Sequence, residues 1–363
     1  MNIDEISDNF EKDLPEDENL NAEEEEIQVP PQTILDHSEE SPWQENKLDL
    51  SKVGEAADKI KGELTKVIIG QDETMDLLLA ALFVGGHVII EGVPGIAKTL
   101  TANLLAQSIS VDFSRIQFTP DLMPTDVVGT TVYNLKTSEF SFNRGPIFSN
   151  IVLIDEINRA PAKTQAALFE VMEELQVTMD GETHLMEFPF FVVATQNPIE
   201  QEGTYKLPEA QLDRFLFKIN MEYPSLEEEK MILRHFKNDF KLKVRQTVEA
   251  VFSAHELKVC QDIIEKVFIK EELLDYIAAI IHNTRNNGDL FLGASPRASL
   301  AIMKSSKAIA AMKGRDFVTP DDIQYVTYPV LNHRIILTPE REMEGYDARE
   351  VVNDIIKKIE VPR

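Results

Sequence analysis

The feature that most restricts this chain is a short loop of small residues set between an apolar run and a helical pattern. His87 to Glu91 read as a strand, and Gly92, Val93, Pro94, Gly95, Ile96, Ala97, Lys98 and Thr99 form the loop. Leu100 opens a helical pattern that runs to Gln107. Strand, loop and helix in that order call for a parallel sheet, because parallel strands need a crossover connection. The same order builds a phosphate cradle. Backbone N–H groups wrap the anion, the helix N-terminus faces it, Lys98 neutralises charge, and the Thr99 hydroxyl is offered to Mg²⁺. Ala97 stands where the pattern has a second glycine, and a methyl group is tolerable there if its φ is negative.

A second element strengthens the reading. Ile151 to Ile154 are four apolar residues of strand length, followed by Asp155 and Glu156. Asp155 is expected to hold Mg²⁺ directly or through water, and Glu156 to orient and deprotonate the attacking water. Two acids after a strand otherwise read as a solvated turn or a helix cap; the chain order after Lys98 and Thr99 favours the catalytic role. A further strand, Phe190 to Thr195, leads into Gln196-Asn197-Pro198. Asn197 can there hydrogen-bond the attacking water or the γ-phosphate, although an Asn before Pro taken alone reads as a turn. Arg115 to Phe118 is a fourth strand-length run, and functional residues are expected at the C-terminal strand ends. These segments together imply an ATPase that takes ATP and Mg²⁺.

Three regions follow from the patterning. Residues 1–47 carry most of the acidic excess, with Glu23 to Glu26 in a run and few apolar residues, and read as an acidic disordered tail. Trp43 is its one large aromatic, either a docking residue or a tail residue with no role. Residues 48–223 alternate strands and helices as an α/β nucleotide-binding domain. Residues 224–363 read as a smaller all-helical lid and C-terminal extension. Ser225 with Glu228 and Thr319-Pro320 with Asp322 mark helix starts, and Ser295-Pro296 repeats the cap and proline arrangement.

Charge narrows the partners. Acidic residues outnumber basic ones 63 to 36, a net charge of -27 at pH 7, which repels polyphosphate backbones unless cations cluster locally. Nucleic acid is therefore not the expected partner. The single cysteine, Cys260, lies in an apolar helical pattern and is expected in the core. The N-terminus lacks a secretory pattern, and the longest apolar stretch, near Leu77 to Phe83, is far short of a membrane span. A cytoplasmic protein with no direct membrane insertion is expected.

Across residues 48–363 the chain resembles an AAA+ ATPase, and its details resemble the MoxR branch, related to the magnesium chelatase-type ATPases. The resemblance rests on Val67-Ile68-Ile69-Gly70-Gln71, the loop Gly92 to Thr99, Phe118 to Leu122, Gly145 to Phe148, Asp155 to Pro161, Ala194 to Pro198, Leu207 to Phe215 and Ser295 to Arg297. It implies an AAA+ core with a parallel β-sheet sandwiched by helices and a smaller helical lid. Lys98 and Thr99 match the Walker A residues, Asp155 and Glu156 the Walker B pair, and Asn197 the sensor-1 residue. Val67 to Gly70 match the segment that lies against adenine. Arg214 matches the arginine finger that enters the neighbouring subunit's site, and Arg297 the sensor-2 arginine of the lid. Ala97 is itself typical of the branch. Arg159 is left open between capping a helix, pairing with a neighbouring subunit and touching nucleotide.

Two hairpins complete the reading. Gly129 to Phe142 form two β-like runs around a polar turn, and Gln176 to Met186 form a second pair turning at Asp180-Gly181. They resemble the helix-2 insert and pre-sensor-1 hairpin, which either brace the core or face a central pore. Their tips offer Asp180, Glu182 and His184 on one side and Lys136 with Glu139 on the other, without the cation cluster that phosphate contacts need. The leading function is a ring-forming ATPase, in the resemblance a hexamer, that remodels or assembles protein complexes in a chaperone-like way. The resemblance also suggests a partner with a von Willebrand factor A domain. The alternatives are a nucleic-acid-dependent motor and a slow nucleotide-gated scaffold.

Overall fold

The structure, a computed structural model, describes residues 50–362 except 137, 199–204, 206 and 238–247. The acidic segment 1–47 and its Trp43 lie outside the described residues. Helices α1 (Ser51–Leu64) and α2 (Asp72–Val84) precede strand β1 (His87–Gly92), which is followed by α3 (Lys98–Ile109), β2 (Phe113–Gln117) and α4 (Pro124–Val128). The hairpin β3 (Gly129–Asn134) and β4 (Glu139–Arg144) comes next, then β5 (Ile151–Asp155) and α5 (Ala162–Glu174). A second hairpin, β6 (Gln176–Met179) and β7 (Glu182–Leu185), leads to β8 (Phe191–Gln196), α6 (Glu209–Leu212) and β9 (Phe215–Met221). The remainder holds α7 (Leu226–Phe236), α8 (Ala254–Glu265), α9 (Glu271–Arg285), β10 (Leu290–Leu292), α10 (Pro296–Met312), α11 (Pro320–Leu331), β11 (Ile336–Leu337), α12 (Pro339–Met343) and α13 (Ala348–Lys358).

Five strands form one parallel sheet in the order β2-β5-β8-β1-β9. Strand residues alternate between its faces, as the two-residue period of a strand requires. Val88, Ile90, Leu153, Val193 and Phe217 enter one apolar cluster with α1, α2, α3 and the lid, whereas Ile89, Val152, Ile154, Val192 and Phe215 enter a second with α5. Both faces are thus covered, which explains why the strands read as nearly continuous apolar runs. β9 was not among the expected strands: Lys218 interrupts its apolar run, and its ammonium is satisfied by Glu91 Oε2 at 2.9 Å on neighbouring β1.

The C-terminal part is the expected smaller helical lid, with one short antiparallel pair, β10 and β11, among its helices. Lid and core residues share the first apolar cluster, α10 against α2 and α11 against β9. Ser225–Glu228 and Thr319–Asp322 form capping boxes as expected. Ser295 differs. It stands at the helix start but makes no cap; its hydroxyl donates instead to Asp213 Oδ2 at 3.1 Å, because the lid packs that end of α10 onto the start of β9. Cys260 is buried, and burial pushes its thiol up to about 11. Among the described residues no helix is long and apolar enough to cross a membrane.

Candidate functional site

The phosphate loop lies where the sequence order puts it, between the end of β1 and the first turn of α3. Its backbone corrects one expectation: Ala97 has φ +67° and ψ +17°, left-handed rather than negative. The loop needs that turn to bring its amides to the helix N-terminus, and a residue with a Cβ pays about 1 kcal/mol for it. Gly95 is also left-handed at φ +88°, and a Cβ built there would meet nothing within 4 Å among the described residues. A Cβ on Gly92 would lie 2.8 Å from the Met221 carbonyl, a clash that reserves the loop's first position for glycine.

The side chains converge at the C-terminal ends of β1, β5 and β8. Lys98 Nζ donates to the Gly92 carbonyl and, at 3.4 Å, to that of Gln196. Thr99 Oγ1 donates to Asp155 Oδ2 at 3.2 Å. Asp155 is buried, and its Oδ1 accepts Thr195 Oγ1 at 2.7 Å. Thr195 Oγ1 also accepts the Glu156 N–H at 3.0 Å, which ties the left-handed Glu156 (φ +57°) to the neighbouring strand. The Glu156 carboxylate accepts Gln117 Nε2 at 2.7 Å and pairs with Arg159 Nε at 3.2 Å. This pairing of Arg159 with Glu156 of its own chain is a fourth role, outside the three left open for it. Asn197 is buried just past the end of β8.

A cleft of about 450 Å³ adjoins the loop, lined by Glu91, Gly92, Val93, Pro198, Asn220, Met221, Glu222 and Tyr223. That size suits a nucleotide-scale ligand. The segment Val67 to Gly70 borders it through Gln71, whose Nε2 donates to the Glu222 carbonyl at 3.1 Å. Val67 and Ile68 are buried in the core, which leaves Ile69 and Gly70 as the accessible part of that segment. The donor set fits Mg-ATP: an ammonium and loop amides for phosphate, and the hard oxygens of Thr99 and Asp155 for Mg²⁺. Arg115 Nε and Nη2 also donate to Asp155 Oδ2, at 2.9 and 2.7 Å, so a metal at that oxygen must share or displace the guanidinium.

Arg214 and Arg297 are not part of this gathering. Arg214 immediately precedes Phe215, whose register partner is His87 at the start of β1, whereas Gly92 pairs with Met221 at the far end of β9. On the order of 16 Å of strand separates the two ends, more than an arginine side chain spans. Both arginines bind Glu173 in the last turn of α5, Arg214 Nη2 at 2.7 Å and Arg297 Nη2 at 2.8 Å. The candidate nucleotide residues therefore lie at the C-terminal strand ends, and these two arginines do not.

Four residues of this arrangement carried no assigned role in the sequence reading: Arg115, Gln117, Thr195 and Glu173. Arg115 and Gln117 had a usable signal, two polar residues spaced by two on the strand beside the acidic pair, where Gln117 stands in register with Asp155. Glu173 had none, because its partners are 41 and 124 residues away in sequence.

Comparison with known proteins places the chain among AAA ATPases. The family model described as "ATPase family associated with various cellular activities (AAA)" matches residues 87–217, and the AAA lid domain model matches residues 282–355. An uncharacterized Bacillus subtilis (strain 168) protein, YeaC, is 48% identical over 299 residues, covering 82% of this chain and 92% of that one. Chaperone MoxR1 of Mycobacterium tuberculosis is 43% identical over 311 residues, covering 83% of this chain and 81% of that one. A crystal structure of a Cytophaga hutchinsonii protein put forward as an ATPase superposes with a TM-score of 0.79 at 42% identity, covering 86% of this chain and 98% of the other.

Proposed function

The chain belongs to the MoxR family of AAA+ ATPases, and from that premise we propose that it assembles into a ring whose Mg-dependent ATP hydrolysis drives chaperone-like remodelling or assembly of protein complexes. One observation carries the ring: the nucleotide group lies at one end of the sheet while Arg214 and Arg297 lie at the other. A complete site then takes two subunits, the loop of one and the arginines of the next. The family resemblance implies six of them.

Each residue has a role in this reading. Lys98 and the loop amides hold the polyphosphate, and Thr99 and Asp155 hold Mg²⁺, which when bound neutralises charge across the phosphates. Glu156, fixed by Gln117, Arg159 and Thr195, takes the proton of the attacking water, and Asn197 orients that water. Arg214 and Arg297 stabilise the negative charge that spreads over the transferred group at the neighbouring site. Ile69 and Gly70 border the base.

A protein client is supported by the hairpins. They lean on one another through Thr131 with Asp180 and through the Phe142 ring stacked on His184 at 4.4 Å. The first hairpin exposes apolar side chains, Leu135 at 85% and Phe140 at 74%, and cations do not cluster among the described residues there. Exposed apolar groups suit a polypeptide better than a phosphate backbone.

The deciding experiment measures specific ATPase activity against protein concentration, with and without DNA, RNA and candidate proteins bearing a von Willebrand factor A domain. A ring with shared sites predicts activity that rises with concentration, and Arg214→Ala that binds ATP without turning it over. Turnover independent of concentration and intact in Arg214→Ala would remove the shared site. Stimulation by DNA or RNA alone would favour a nucleic-acid motor.

A further inference from the structure

Glu173 joins three parts of the chain at the end of the sheet remote from the phosphate loop. Its Oε2 forms an ion pair with Arg214 Nη2 at 2.7 Å, and its Oε1 accepts a hydrogen bond from Arg297 Nη2 at 2.8 Å. One carboxylate thus stands between two guanidiniums that would otherwise repel each other. The Arg214 guanidinium also lies 6.0 Å from the Phe169 ring centre, one turn back along α5, and its buried Nε has no hydrogen-bond partner among the described residues. The residue before it is held by the lid: Asp213 Oδ1 accepts the buried Arg334 Nε at 2.7 Å, and Asp213 Oδ2 accepts Ser295 Oγ at 3.1 Å. Asp213 and Arg214 are therefore each tied to the lid, one directly and one through Glu173 and Arg297.

We propose that Glu173 is a positioning residue that yokes Arg214 and Arg297 into one preoriented pair for the phosphates bound by the adjacent subunit. This rests on the reading above that Arg214 works across a subunit boundary. The carboxylate reduces the net charge of the pair and so adds nothing to ground-state attraction for ATP. Its contribution is orientation: without it the guanidiniums separate, and the geometry needed when charge develops on the transferred group is lost. Glu173 therefore sets kcat while leaving nucleotide affinity almost unchanged. A residue that only braced the lid would show the reverse, a lower melting temperature with normal turnover per folded ring.

The test mixes variants in one assembly. Glu173→Gln keeps the shape of the side chain and removes its charge, and alone it should lose roughly 10- to 100-fold in kcat while binding a fluorescent ATP analogue within about twofold of the parent. Mixed with Lys98→Ala it should regain turnover, because some boundaries then pair an intact loop with an intact arginine pair. Mixed with Arg214→Ala it should regain none, since both variants lack the same half. Parental kcat in Glu173→Gln, or rescue by Arg214→Ala instead of Lys98→Ala, overturns the inference and leaves the shared site standing. Failure of Arg214→Ala and Lys98→Ala to rescue each other overturns the shared site, and the inference with it. Glu173→Ala, at a part-exposed helix position where alanine is well tolerated, repeats every arm if the Gln variant folds poorly.

Discussion

Thr195 donates its hydroxyl to Asp155 Oδ1 at 2.7 Å and with the same oxygen accepts the backbone N–H of Glu156 at 3.0 Å. One side chain on β8 thereby fixes both acidic residues at the end of β5. Thr195→Val keeps the shape and removes the hydroxyl, leaving a buried donor and acceptor short of a partner at a cost of about 1 to 3 kcal/mol. Turnover should fall roughly 10-fold or more as the two carboxylates lose their alignment, while Thr195→Ser stays near the parent. Steady-state phosphate release compares them, and parental turnover in the Val variant would discard this role.

Lys98 and Glu156 should separate binding from hydrolysis. Lys98→Ala removes the ammonium at the loop and is expected to lose most nucleotide affinity, read with a fluorescent ATP analogue. Glu156→Gln keeps the loop intact and should bind and retain ATP with turnover suppressed. Normal hydrolysis in that variant would take the base away from Glu156.

The left-handed Ala97 offers a test of the loop itself. Ala97→Gly relieves a cost of about 1 kcal/mol, offset in part by the greater freedom of glycine in the unfolded chain. Melting temperature should stay level or rise slightly, and turnover should persist. Ala97→Val, a β-branched residue at positive φ, should fold less stably and bind ATP weakly. Equal behaviour of the Gly and Val variants would contradict the backbone described here.

Acid should weaken the sheet through His87. Its ring is buried, with Nδ1 accepting Val192 N–H at 3.1 Å and Nε2 facing the Met172 carbonyl at 3.3 Å, the pattern of a neutral imidazole. Burial pushes its pKa down from 6.5 to about 4. Between those values the unfolded chain binds the additional proton, so the stabilisation is complete above pH 6.5 and declines as pH falls toward 4, by about 1.4 kcal/mol per pH unit. Urea titrations at pH 7.5 and 5 should show the loss, and His87→Gln should lack roughly 2 kcal/mol of it. An unchanged pH dependence in the variant would exclude His87 as its source.

Asp322 should be the costliest lid residue to truncate. Its buried carboxylate accepts Arg315 Nη1 and Nη2 at 2.7 and 2.6 Å and the Thr319 N–H at 3.0 Å. Arg315 and the Thr319 bonds hold that carboxyl below the usual carboxylate range despite its burial. Asp322→Ala breaks the pair from one side and is expected to cost about 3 to 5 kcal/mol, measurable by calorimetry. A change below about 1 kcal/mol would mark it as no more than a surface pair.

What the sequence determined by itself was local. The order of strand, small-residue loop and helix dictated a parallel sheet and placed Lys98 and Thr99 at a helix start. An apolar run ending in two acids placed Asp155 and Glu156 at a strand end, and capping boxes set the starts of α7 and α11. Each of these depends on neighbours a few residues apart, whose spacing fixes their geometry. Tertiary structure decided what spacing does not encode: the φ of Ala97, the diversion of Ser295 from cap to Asp213, the grip of Arg115 on Asp155, and the meeting of Arg214 and Arg297 on Glu173. Those contacts exist because β2, β5 and β8 lie side by side and the lid folds back onto β9, bringing together charges far apart along the chain.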